Sequence, residues 1–189
     1  MITMTIGDCR LTIGSPTRRP ISIVNRQSQS SLANRQSKSA ILGRMENWRE
    51  NIIDDTEKIR ELLAATRTIA VLGIKTEAQS SQAAFYVPRY MSNAGFEIIP
   101  VPVYYPEVKQ ILGANVYRKL VDIPGEVDLV NVFRKSGDVP AHVDDILAKR
   151  PKAVWLQLGI RNDAVAETLA KAGIKVVQDR CLMVDHRYL

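Results

Sequence analysis

Residues 68–101 read TIAVLGIKTEAQSSQAAFYVPRYMSNAGFEIIPV, and this stretch decides the fold. An apolar run, a glycine, a polar loop, a helix-like segment and a second apolar run follow one another, a βαβ pattern typical of nucleotide-binding crevices. Gly73 falls where a backbone would come close to a phosphate group. The second strand ends in Pro100, Val101 and Pro102. It therefore lacks the Asp or Glu that holds the ribose hydroxyls in an NAD site.

The rest of the chain continues this alternation of strands and helices. Near-continuous apolar runs predict parallel strands buried on both faces, at residues 68–73, 97–101, 128–133, 153–158 and 174–178. Helices are predicted over residues 80–94, 106–112, 139–150 and 162–172, and an amphipathic lead-in helix over residues 54–65. The chain is thus predicted to form an α/β fold with a Rossmann-like, doubly wound, mainly parallel five-stranded sheet and helices on both faces.

The positive charge of the chain is concentrated near its start. The sequence has 26 Lys and Arg against 20 Asp and Glu, but residues 1–44 hold seven of the basic residues and one acid. The remaining 19 of each sign make residues 45–189 formally neutral, so the net charge of +6 gives no support to nucleic-acid binding. We predict that residues 1–44 are a disordered basic leader, and that residues 45–189 form the domain. A start codon assigned too early is an alternative origin of this leader, and a transit segment is a less favoured one.

Other features of composition bear on the compartment. Cys9 and Cys181 lie far apart and form no CxxC spacing, which fits a reducing compartment. No apolar run approaches the roughly eighteen residues of a membrane span, and no secretory signal is evident. We expect a cytoplasmic protein that binds a small molecule and neither nucleic acid nor membranes. A protein partner is possible but cannot be identified from the sequence.

Cations gather at the predicted carboxyl edge of the sheet, where ligands bind in such folds. Lys75 follows the first strand, Arg134 and Lys135 follow the third, and Gly159 and Arg161 follow the fourth. Helix N-termini with free N–H groups begin at the same junctions, so we predict an anionic ligand. The alternative is that these are ordinary solvated loop charges. Neither the full GxGxxG pattern nor the GKS or GKT of a P-loop is present.

Six pieces of the sequence carry a family resemblance. They are IAVLGIK (69–75), YVPRYMSNAGFEIIPV (86–101), ILGANVYRKLVDIP (111–124), VDLVNVFR (127–134), AVWLQLGI (153–160) and VVQDRCL (176–182). Together they make residues 67–189 resemble the CoA-binding domain family, typified by the N-terminal domain of the succinyl-CoA synthetase α subunit and including stand-alone bacterial members. The resemblance implies a Rossmann-like sheet that binds the nucleotide end of coenzyme A (CoA) at its carboxyl edge.

The resemblance also implies roles for individual residues. Gly73, Ile74 and Lys75 would form the first phosphate-facing loop, and Ser80 or Ser81 would cap the helix that receives a phosphate. Pro100 and Val101 would line the adenosine side. Phe133 and Arg134 would form the walls of the crevice. Many relatives read PVNP after the second strand, where this chain reads PVPVYYP. Tyr104 and Tyr105 are therefore candidates to substitute for that Asn by stacking on a base.

Catalytic residues are not evident. His142 is interpreted as part of a solvated helix face, and His186 near Cys181 matches no metal-binding or thiol-nucleophile pattern. Succinyl-CoA synthetase acts through a phosphorylated histidine in a second domain, which this sequence does not contain, so the resemblance implies binding without turnover. We expect non-catalytic binding of CoA or an acyl-CoA, with no metal. The alternatives are a nucleotide-sensing regulatory or partner-binding subunit and, less favoured, an NAD-dependent or acyl-CoA ligase enzyme component.

Overall fold

The computed structural model describes residues 47–188, so the predictions for residues 1–44 and for Cys9 lie outside the described residues. The helices are α1 (Thr56–Ala64), α2 (Ala83–Asn93), α3 (Val143–Lys149), α4 (Asp163–Lys171) and α5 (Leu182–Arg187). The strands are β1 (Thr68–Leu72), β2 (Glu97–Val101), β3 (Gln110–Ile111), β4 (Ala114–Asn115), β5 (Leu129–Val132), β6 (Ala153–Leu156) and β7 (Lys175–Val177).

Five of these strands form one parallel sheet in the order β2-β1-β5-β6-β7. The chain leaves β1 toward β2 on one side and returns to β5 on the other, so the strand order reverses between β1 and β5. Ligands of doubly wound sheets bind at the carboxyl end of this switch point. The predicted Rossmann-like fold is therefore confirmed, and its topology indicates where a ligand site should lie.

Apolar side chains cover both faces of the sheet, because successive residues of a strand point to opposite sides. On one face, Ile69 and Val71 belong to a core shared with α1, α2 and α5. On the other, Ala70 and Leu72 belong to a core shared with α3 and α4. The prediction of helices on both faces is thus confirmed.

The helix predictions for residues 106–112 and 139–150 need correction. Residues 106–112 form no helix: β3 and β4 make a short antiparallel hairpin around Leu112 and Gly113. Both turn residues have positive φ, 53° and 75°, a combination that closes a two-residue hairpin but ends a helix. The segment predicted as a helix over residues 139–150 begins instead as a 3₁₀ turn, Val139–His142, before α3. Pro140 lies in that turn, where its missing N–H costs little.

A buried carboxylate ties together the starts of three strands. The Asp128 side chain, 12% exposed, accepts hydrogen bonds from the N–H groups of Arg67 and Thr68. It also forms an ion pair with Lys152, whose Nζ lies 2.7 Å from the Asp128 Oδ1. Burial alone would raise the pKa of the Asp128 carboxyl, but the Lys152 ammonium and the two N–H groups outweigh it and lower the pKa to about 2. This contact fixes the amino edge of the sheet.

Candidate functional site

The loops after β1 and β5 touch at the switch point. Gly73 follows β1 with φ +90°, and its N–H donates to the carbonyl of Val101 at 2.8 Å. A Cβ at this position would lie 2.5 Å from the Phe133 carbonyl oxygen and 3.1 Å from the Arg134 side chain. Only glycine combines this conformation with this approach. The crevice therefore begins at a direct backbone contact between the two loops.

The loop after β1 is also bonded to α2. The N–H of Lys75 donates to the carbonyl of Ala84 at 3.1 Å. In an α-helix that carbonyl would accept from the residue four positions later, which here is Pro88 and has no N–H. The proline thus leaves free the carbonyl that the loop uses. Since the N–H groups of Gly73 and Lys75 are both engaged within the protein, this loop offers a ligand the Lys75 side chain and, from its backbone, the N–H of Ile74.

Two cations and two tyrosines meet beside this loop, and we call Lys75, Tyr104, Tyr105 and Arg134 the cation–tyrosine cluster. The Lys75 ammonium donates to the Tyr105 hydroxyl at 3.3 Å and lies 5.2 Å from the Tyr104 ring centre. The Arg134 guanidinium lies 5.4 Å from the same ring centre, within cation–π range. The two tyrosine rings meet edge to face, with centres 6.4 Å apart. The cluster joins positive charge to flat aromatic surface.

Arg134 is the more deeply buried cation of the cluster. Its side chain is 13% exposed and pairs with Asp138 at 3.0 Å, while its Nε is buried without a partner. The neighbouring Arg134 guanidinium lowers the pKa of the Tyr104 hydroxyl. An unpaired donor at this depth is one that a ligand atom could satisfy.

A cleft of about 630 Å³, large enough for a nucleotide, adjoins the cluster. Its lining comprises Leu72, Pro102, Val103, Tyr104, Pro106, Val121, Ala141 and Ala148 with the polar residues Arg118, Lys119, His142, Asp144 and Asp145. Burial, and next the charge of Arg134, lower the pKa of His142. Asp145 is already engaged, since its carboxylate accepts the N–H groups of Leu120 and Val121. Because eight of its thirteen lining residues are apolar or aromatic, the cleft is mainly apolar.

The predicted residues of the β1 and β2 junctions lie in different environments. Ile74 is buried in the core, and Pro100 and Val101 are buried in β2. Ser80 and Ser81 were predicted to cap α2, and this is wrong: they lie exposed in a turn, and the helix begins after Gln82. The physical reason is an extra 3₁₀ turn, Glu77–Gln79, which moves the helix start along the chain.

Residues of the β6 junction are engaged elsewhere. The N–H of Gly159 donates to the Asp179 carboxylate at 2.6 Å, and the Arg161 guanidinium pairs with Asp163 at 3.0 Å. These two contacts are with the loop after β7 and the first turn of α4, while the N–H of Arg161 donates to the Ser136 hydroxyl, in the loop after β5, at 3.1 Å. The structure brings together Gly73, Lys75, Phe133 and Arg134, while Arg161 offers less positive charge than its position in the sequence indicated.

Sequence reasoning missed two features of the site. Asp138 is the acidic partner of Arg134, and the spacing of four residues between them was an available signal. His142, interpreted as part of a solvated helix face, is half-buried and lines the cleft. No comparable signal existed for His142, because it reaches the cleft through the packing of the 3₁₀ turn. The other histidine, His186, lies away from the site, and its Nδ1 is 3.0 Å from the Tyr90 hydroxyl.

Other parts of the described chain lie apart from this site. A cleft of about 640 Å³ at the amino edge of the sheet is lined by Arg67, Phe96 and His186 among others, and by none of the predicted site residues. Within residues 47–188, no three His, Cys, Asp or Glu side chains are grouped to hold a metal ion. None of the helices in this range is long and apolar enough to span a bilayer.

The sheet order and the crevice at its switch point define a Rossmann-like α/β domain. The chain matches the CoA binding domain over residues 67–187, and it belongs to that family. The resemblance noted from the sequence is therefore confirmed.

Several relatives share this domain over most of their length. An uncharacterized protein of Bacillus subtilis (strain 168), YneT, is 33% identical over 129 residues, which are 68% of this chain and 92% of YneT. The solved structure of the cell-free ID.343 protein from Thermus thermophilus is 38% identical, with a TM-score of 0.65 over 71% of this chain and 98% of that one. A hypothetical protein from Pyrococcus horikoshii OT3 is 29% identical, with a TM-score of 0.64 over 71% and 92%.

Proposed function

We propose that the protein binds CoA or an acyl-CoA at the cation–tyrosine cluster and the adjoining cleft, and performs no chemistry of its own. The observation that carries this proposal is the meeting of two cations and two exposed or half-exposed tyrosines at the switch point of a CoA-binding family sheet. CoA combines a base, a diphosphate and a 3′-phosphate, so it needs both aromatic surface and several cationic contacts.

The adenosine part belongs in the mainly apolar cleft. Tyr104 is 55% exposed and offers one ring to a base, and Pro102 and Val103 line the cleft beside it. Residues 102–106, directly after β2, include no Asp or Glu, so no carboxylate at the strand end would repel a phosphate on the ribose. Pro100 and Val101, predicted on the adenosine side, would act from within β2 as support for these residues. These features favour CoA over NAD.

The diphosphate belongs between the Lys75 side chain and the start of α2. Gln82 makes no side-chain cap, so no side chain competes for the first N–H groups of that helix. Phe133 and Arg134 would form the opposite wall, with the unpaired Nε of Arg134 as an additional donor. Ser80, Ser81 and the backbone of Gly73 and Ile74 would border the phosphates. Gly159 and Arg161 stay candidates for the far end of the ligand only.

The proposal of binding without turnover is supported by the engagement of two carboxylates beside the cleft, whereas Asp144, which also lines it, is exposed. Asp138 is paired with Arg134, and Asp145 holds two backbone N–H groups. Neither carboxylate is free to act as a general base without breaking a contact that orders the site. Incubation of the purified protein with acetyl-CoA should leave the thioester intact, and detectable hydrolysis or transfer would refute this part of the proposal.

Calorimetry tests the binding directly. We expect CoA to bind the full-length protein at micromolar concentrations, and 3′-dephospho-CoA to bind more weakly because it lacks one anionic group. NAD should bind weakest, since it lacks the 3′-phosphate and meets no ribose-binding acid. The proposal fails if CoA shows no binding at high micromolar concentrations, or if removal of the 3′-phosphate leaves the affinity unchanged.

A further inference from the structure

The segment that presents both tyrosines is held in an uncommon conformation. We call residues 102–108, which follow β2, the tyrosine loop. Tyr105 has φ +66°, a region that costs a non-glycine residue free energy and persists when surrounding contacts hold it. One hydrogen bond within the loop, from the Val108 N–H to the Tyr105 carbonyl at 3.1 Å, closes a turn. A single turn does not fix the direction of the two exposed or half-exposed rings.

Arg118 supplies the missing contacts from outside the loop. Its Nη1 donates to the carbonyl of Tyr105 at 3.1 Å, and its Nη2 donates to the carbonyls of Pro106 at 2.8 Å and Val108 at 2.5 Å. Within residues 47–188 Arg118 has no acidic partner, so its donors serve the loop backbone. A planar guanidinium can satisfy three carbonyls at once, which an ammonium on a flexible stem cannot do in the same geometry.

The base of Arg118 is itself fixed to the sheet. The N–H of Tyr117 donates to the Pro100 carbonyl at 2.9 Å, and the N–H of Val116 donates to the Lys109 carbonyl at 2.9 Å. Arg118 thus extends from a segment bonded to β2 and reaches over the loop that β2 begins. The loop is held between a strand at one end and a guanidinium above its turn.

We infer that Arg118 is a positioning residue that holds Tyr104 and Tyr105 against Lys75 and Arg134 before a ligand arrives. The inference rests on the proposed function for its consequence in binding, but the clamp itself exists without a ligand. If Arg118 is lost, the loop samples other conformations, and the apparent affinity falls by the fraction of molecules in which the tyrosines are in place.

The clamp can be tested without any ligand through Tyr104. The neighbouring Arg134 guanidinium is the chief cause that lowers the Tyr104 pKa, while burial and Asp138 oppose it and Lys75 assists. The Tyr104 pKa therefore reports whether the ring stays beside Arg134. Absorbance of tyrosinate at alkaline pH, taken as the difference from Tyr104→Phe in each background, isolates this group. In Arg118→Met we expect the Tyr104 pKa to rise toward its ordinary value of about 10.

Two further variants decide the interpretation. Lys109→Met removes a positive charge from the residue that directly follows the tyrosine loop. The Lys109 side chain is exposed, and Arg118 rather than Lys109 donates to the loop carbonyls, so Tyr104 should titrate as in the wild type. In Arg118→Lys the midpoint of the Tyr104 titration should lie between those of the wild type and Arg118→Met. The inference is overturned if Arg118→Met titrates like the wild type, or if Lys109→Met shifts the midpoint equally, since the latter would show a general effect of charge.

Binding gives an independent measurement. If the ordered loop falls to one tenth of molecules in Arg118→Met, the dissociation constant for CoA should rise about tenfold. Lys109→Met should bind like the wild type. If the wild type binds no CoA, the proposed function fails and the titration still decides the role of Arg118. If the wild type binds CoA and Arg118→Met binds it equally well, the positioning role is refuted while the proposed function stands.

Discussion

Gly73→Ala should destabilise the protein by more than the backbone strain alone, because the added Cβ also overlaps a neighbouring loop. An alanine at φ +90° costs about 1–2 kcal/mol in local strain. Its Cβ would also lie 2.5 Å from the Phe133 carbonyl oxygen, a backbone atom that cannot move without shifting β5. Overpacking of this kind typically costs about 1–3 kcal/mol more. We therefore expect a total loss of about 2–5 kcal/mol in the free energy of unfolding.

Gly95→Ala is the matched control. Gly95 has φ +97°, and a Cβ built there meets no atom within 4 Å, so it carries the strain without the overlap. Urea unfolding followed by circular dichroism gives both free energies, and their difference isolates the contact between the two loops. The reasoning is refuted if Gly73→Ala and Gly95→Ala lose the same stability. A folded Gly73→Ala should also bind CoA less tightly, because its loops are pushed apart.

Three other predictions follow from single contacts. Lys75→Ala should weaken CoA binding by about 1 kcal/mol or more in calorimetry, while Lys135→Ala, exposed at the same edge, should not; equal affinities would remove Lys75 from the site. Asp128→Asn should cost about 2 kcal/mol at neutral pH, since the lowered carboxyl pKa stabilises the fold above about pH 4 and this contribution is lost on acidification toward pH 2. Urea titrations across that pH range would contradict this prediction if the difference in unfolding free energy between the wild type and Asp128→Asn stayed constant. Pro88→Ala should speed hydrogen exchange of the Lys75 amide, because the new N–H competes for the Ala84 carbonyl; unchanged protection would exclude that competition.

The sheet could be predicted from the sequence because its strands are apolar on both faces and its helices lie between them. The hairpin of β3 and β4 could not, because Leu112 takes a left-handed conformation that no local pattern requires. The start of α2 was missed for a similar reason: a 3₁₀ turn that no capping signal announces lies ahead of it.

The candidate site was predictable only as far as topology reaches. Lys75 and Arg134 follow neighbouring parallel strands, so their proximity follows from strand order. The approach of Tyr104 to both cations depends on the Arg118 guanidinium, which comes from a segment beyond the hairpin. Arg161 was overestimated because its pairing with Asp163 depends on side-chain conformation, which the sequence does not fix.

The hydrogen bond between the Lys75 N–H and the Ala84 carbonyl makes positions 75 and 88 dependent on one another. Loops that bind phosphate through their backbone point N–H groups outward, and here one such group is turned inward because a proline leaves it an acceptor. Relatives that have an ordinary residue at position 88 should therefore differ in loop geometry even where the glycine is retained. For protein design, exchange of this proline is a route to a loop whose backbone, in addition to its lysine, faces the anion.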